Sequence, residues 1–63
     1  MEEITTIAKA RIKNNHSLEY VATYLNVSVD TLKTYEMHPE DTPIRDAILL
    51  ADLFDIDIKK IKF

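Results

Sequence analysis

Apolar residues recur along this chain at helical spacing, in short stretches separated by polar breaks. Ile4, Ile7, Ala8 and Ile12 form a first stripe and predict a helix over residues 2–13. Glu2 and Glu3 stand near its start and Arg11 and Lys13 near its end, the order that the helix dipole favours. Asn14, Asn15 and His16 interrupt it. Ser17 then supplies a hydroxyl suited to capping a second helix, about 17–25, whose stripe is Leu18, Val21, Ala22 and Leu25. Asn26 suits a left-handed turn where glycine is lacking. Val27 points inward, and Ser28 caps a third helix, about 28–36, with Leu32 and Tyr35 on its inner side.

The second half continues the pattern. Residues 37–42 form a loop in which Pro39 stops the third helix. Thr42 followed by Pro43 predicts a cap and first position for a fourth helix running to about Phe54, with Ala47, Ile48, Ala51 and Phe54 inward. Asp57 is placed to cap a short fifth helix carrying Ile58 and Ile61, with Lys59, Lys60 and Lys62 at its C-terminal end. The expected fold class is therefore all-α: one compact five-helix domain over residues 1–63. Its expected core is Ile7, Ile12, Val21, Ala22, Leu25, Leu32, Ile48, Ala51 and Phe54.

Composition narrows the function. The chain has 63 residues, enough for one domain and little more. With no glycine, it has no glycine-rich phosphate loop or dinucleotide fingerprint. With no cysteine, it has neither disulfides nor thiolate metal sites. No apolar run approaches the ~20 residues that span a bilayer, and the acidic start Met1-Glu2-Glu3 is unlike a signal peptide. The lack of cysteine suits a reducing cytosol. His16 and His38 are isolated loop histidines without a partner at metal-ligand spacing. Glu40 and Asp41 form a solvated acidic pair. No nucleophile has a base at credible spacing, so neither an enzyme, a cofactor nor a metal is expected.

The informative stretch is SLEYVATYLNVSVDTLKTYE, from Ser17 to Glu36. Two short helices meet at a tight turn, and small Ala22 sits where they approach closely. Such a unit lays its first helix across a DNA backbone and projects its second into the major groove. Together with Pro43, Leu50-Ala51, Phe54 and Ile56, this stretch resembles the Cro/repressor helix-turn-helix family. That family is lambda-repressor-like in fold and is also called the xenobiotic-response-element type. The likeness runs from Ile7 to Ile61 and is nearest to small regulators of Gram-positive phages. The resemblance implies a sequence-specific transcription regulator that binds a double-stranded operator, alone or as a homodimer. It also implies an ion pair between Arg11 and Glu36, joining the first helix to the third.

On this resemblance the base-reading positions are Val29, Asp30, Lys33 and Thr34, and Ser17, Ser28 and Thr31 lie near phosphates. Val29 and Thr34 suit a thymine methyl and Asp30 a cytosine amine. Asp30 has a second role open to it, complementing the helix dipole. The chain departs from the family at three places. Leu18 stands where glutamine is common, Asn26 where glycine is usual, and the loop before Pro43 is a residue longer.

Charge raises a rival reading. The net charge is -3, from 8 basic and 11 acidic residues, whereas phosphate-binding modules carry a basic excess. Tyr20 and Tyr24 lie on the second helix off its Val21/Leu25 stripe, and with Leu18 and Val29 they offer an apolar patch. The alternative is thus an anti-repressor or co-repressor that binds a second phage regulator protein through this face.

Overall fold

The computed structural model describes residues 3–63. Four α-helices, α1 (Ile7–Lys13), α2 (Leu18–Leu25), α3 (Val29–Met37) and α4 (Ile44–Phe54), are joined by short turns. Two single 3-10 turns, Pro39–Asp41 and Ile58–Lys60, complete the described chain. The chain is all-helical in class. The segment expected as a fifth helix is only the second of these 3-10 turns, capped by Asp57, whose carboxylate accepts from the Lys59 amide at 3.0 Å.

Three helices begin at a hydroxyl cap. Thr6, Ser17 and Ser28 each accept from the amide three residues on, closing an orphan donor of the first turn. α1 therefore starts five residues later than the sequence pattern suggests, and the expected Glu2 start lies outside the described residues. Thr5 instead lies in an isolated bridge. Thr5 pairs in parallel with Ile61, its amide donating to the Lys60 carbonyl at 2.7 Å and its carbonyl accepting from the Lys62 amide at 2.8 Å. In a chain without glycine, the left-handed positions fall to Asn15, Asn26 and Asp55, with φ of 58°, 60° and 54°. Asn and Asp bear that conformation at the least cost after glycine.

The core is built from Ile7, Val21, Leu25, Leu32 and Leu50, closed by Phe54 and Ile61. Ala10, Ala22 and Ala51 let the helices approach. Two expected core residues, Ile12 and Ile48, are exposed instead. The physical reason is the helical period. α1 buries Ile7 and Ala10, and α4 buries Ala47, Leu50, Ala51 and Phe54, spaced i, i+3, i+4 and i+7. Ile12 lies about 140° around α1 from Ile7, and Ile48 is turned about 100° from Ala47, away from the buried arc. Ile4, expected on the same stripe, precedes α1 and is exposed.

Helix α4 begins differently. Pro43 takes the cap position rather than the first helical one, and Thr42 makes no capping bond; its buried hydroxyl has no hydrogen-bond partner. Pro43 has no N–H for the third residue of the helix, Asp46, to accept. Asp46 turns inward and accepts from the Tyr35 hydroxyl at 2.7 Å, tying α3 to α4 in a buried contact. Its other oxygen lies 3.6 Å from the Arg45 guanidinium.

Burial first, then this hydrogen bond and the charge of Asp46, push the Tyr35 phenol up to about 12 from its ordinary 10.0. The folded chain therefore keeps a proton that the unfolded chain releases above pH ~10. Stability from this group is complete below that pH and is lost as pH rises through about 12. We expect Tyr35→Phe to cost about 1–3 kcal/mol at pH 7, because Asp46 loses its donor. The gap between the variant and the natural chain should narrow above pH 10, as read from urea midpoints at each pH. A gap of constant size would count against the phenol as the source.

Candidate functional site

The turn between α2 and α3 is only Asn26, Val27 and Ser28. Asn26 adopts the left-handed conformation (φ 60°, ψ 44°) and its amide bonds back to α2. The Val27 amide donates to the Ala22 carbonyl at 2.9 Å, and the Val27 side chain packs on the core. Beneath, Leu25 and Leu32 are both fully buried and hold the two helices together. The left-handed Asn26, the capping Ser28 and the buried Leu32 expected from the sequence are each present.

The outer side of α3 is open. Asp30, Lys33 and Thr34 are exposed, and Thr31 and Val29 are half-buried. Hydroxyl protons decide which of these side chains can meet a phosphate, because phosphate oxygens only accept. Ser28 spends its proton on the Thr31 oxygen at 2.9 Å while accepting from the Thr31 amide. Thr34 spends its proton on the Asp30 carbonyl at 3.1 Å. Ser17 accepts from the Tyr20 amide and Thr31 accepts from Ser28, so Ser17 and Thr31 each retain a proton to donate. Lys33 is the exposed cation of α3.

The site is braced from behind. Arg11 Nε donates to Glu36 Oε2 at 2.8 Å, with side-chain exposures of 15% and 14%, joining α1 to the last turn of α3. The same guanidinium donates through a second nitrogen to the His16 carbonyl at 3.1 Å, which fixes the break before Ser17. The His16 ring stacks on Tyr20 with centroids 4.9 Å apart and faces Phe54 at 6.2 Å. His16 is thus packed between α2 and α4, a role not foreseen from its place in a polar loop.

The apolar patch is smaller than expected. Tyr20 and Tyr24 are 53% and 41% exposed, but Leu18 and Val29 are half-buried and pack against the core. Sequence reasoning also missed a cleft lined by lysines. Lys9, Lys13 and Lys60 line one cleft, together with Thr5 and Glu3, away from the α3 positions singled out above. The i, i+4 spacing of Lys9 and Lys13 is visible in the sequence, and Lys60 joins them only through the fold. Among the described residues there is no cluster of His, Cys, Asp or Glu suited to a metal, and no helix is long and apolar enough to cross a membrane.

Comparison of the chain with protein-family models, with curated proteins and with solved structures finds no match.

Proposed function

We propose that the chain is a sequence-specific DNA-binding regulator of the Cro/repressor type, acting in the cytoplasm of a bacterial host and not as an enzyme. The observation that carries this reading is the uncovered outer side of α3, held at a three-residue turn against α2 and braced by Arg11–Glu36. In this reading the fold is lambda-repressor-like, with the Ile58–Lys60 turn standing where the sequence pattern predicts a fifth helix. α3 enters the major groove and α2 crosses the phosphates at its N-terminus. Lys33 supplies the charged contact, Asp30 and Thr34 face base edges, and Ser17 and Thr31 donate to phosphate.

A second reading keeps a specific observation in its favour. Tyr20 and Tyr24 expose large rigid rings on a chain of net charge -3, which suits a basic DNA-binding surface of another regulator. One pair of variants separates the two. Calorimetric titration against operator DNA from the gene's neighbourhood is expected to show about tenfold weaker binding for Lys33→Ala, with the salt slope reduced by about one. Tyr20→Ala should leave operator affinity nearly unchanged. The reverse order, with weak unspecific DNA binding and at least ~30-fold loss of affinity for the adjacent regulator on Tyr20→Ala, would replace the first reading by the second.

A further inference from the structure

The face of α4 that the core does not use carries apolar side chains. Ile44 and Ile48 are 72% and 55% exposed, one turn apart. At about 100° per residue, Ile44, Ile48, Asp52 and Arg45 fall within a single arc about 100° wide, directed away from Leu50 and Phe54. Arg45 and Asp52 are both exposed, and they flank Ile48 along the helix, Arg45 on its N-terminal side and Asp52 on its C-terminal side. They are seven residues apart, about 10.5 Å along the axis.

This arrangement is self-complementary under one operation. A two-fold axis passing beside Ile48 and perpendicular to α4 sets a second α4 antiparallel to the first. Ile48 then meets Ile48 of the other copy, and each Arg45 meets the other copy's Asp52. We infer that the outer face of α4 pairs with the same face of a second copy of this chain, antiparallel and two-fold. A parallel pairing sets Arg45 against Arg45 and Asp52 against Asp52, so the charges also select the orientation.

The area sets the strength. α4 has 11 residues and is about 16 Å long, and one such face falls below the ~800 Å² per partner of a standard stable interface. The free dimer is therefore weak, with Kd on the order of 10–100 µM at low salt, and it loosens as salt screens the two rim pairs. The pairing itself stands apart from the DNA reading. Only its consequence rests on that reading: an operator with two inverted half-sites about one helical turn apart.

Sedimentation equilibrium without DNA tests the pairing alone. The natural chain should self-associate in the stated range, and Ile48→Glu, which sets two carboxylates face to face at the axis, should remain monomeric. The decisive arm uses two single variants. Arg45→Asp places an acid in the first turn of α4 and Asp52→Arg a base near its last, as the helix dipole favours; Arg45→Asp also gives up the 3.6 Å contact with Asp46, so the fold of each variant is checked by circular dichroism before mixing. Each alone sets like charges at both rim pairs and should self-associate about tenfold more weakly. Mixed together, they restore opposite charges at both pairs, and the mixture should form a heterodimer within about threefold of the natural affinity. A natural chain that stays monomeric to 1 mM, unchanged self-association in Ile48→Glu, or a mixture no tighter than its components would each overturn the proposal. Loss of operator binding with intact self-association would strike the DNA reading instead.

Discussion

Replacing Leu32 by alanine is expected to destabilise the domain by about 2–5 kcal/mol. Leu32 is fully buried on the inner side of α3, packed in the same core as Leu25, Val21 and Leu50. Truncation removes the transfer free energy of three heavy atoms and leaves a void that rigid neighbouring helices close only in part. A domain of this size has little reserve, since total stability is on the order of 5 kcal/mol at the low end of folded proteins. A large fraction of Leu32→Ala chains should be unfolded at 37 °C. Urea denaturation followed by circular dichroism reads the effect directly, with Lys33→Ala as the neighbouring surface control. A midpoint within error of the natural chain would mean that α3 does not dock as described.

The second large effect belongs to the Arg11–Glu36 pair. Exposed ion pairs contribute about 0–1 kcal/mol, and breaking a fully buried one costs about 3–5. These side chains are mostly enclosed, and breaking the pair should cost about 2 kcal/mol. Arg11→Ala should cost more than Glu36→Ala, because Arg11 also donates to the His16 carbonyl and both bonds are lost together. Arg11→Lys should recover little. A single ammonium lacks the fork that reaches a carboxylate and a carbonyl at once. A double-mutant cycle reads the coupling, and a coupling indistinguishable from zero would show that the pair merely decorates the surface.

How far the sequence foretells this molecule depends on what each residue's signal is. Ser17, Asn26, Ser28 and Asp57 carry their conformational preference in their own side chains, and the structure uses each one as expected. Arg11 and Glu36 are 25 residues apart, and only their place in a family pattern makes their contact legible. Ile12 and Ile48 are exposed where the pattern predicts core, because several apolar residues compete for each stripe. A one-residue error in phase moves a side chain about 100° around the helix, from core to water. Thr6 caps α1 behind two acidic residues, Glu2 and Glu3, that mimic an earlier helix start. Asp46 gave no warning at all, since its burial follows from a proline that cannot donate and a tyrosine that can, on two different helices. Among the expected contact residues, Lys33, Asp30 and Thr34 are open to solvent, and Leu18 and Val29 turn toward the core. The chemistry of a surface is visible in residue types, but its boundaries are set by packing.

The parallel contact between Thr5 and Ile61 gives the domain a clasp. Ile61 is buried, and its neighbours Lys60, the last residue of the 3-10 turn, and Lys62 hold Thr5 through two short hydrogen bonds. Segments far apart in the chain thereby open and close as one unit. When the residues after Asp57 peel away, the core loses Ile61 and the lead into α1 loses its only extended partner among the described residues. The two segments then share one opening free energy, where unpaired segments would each open at almost none.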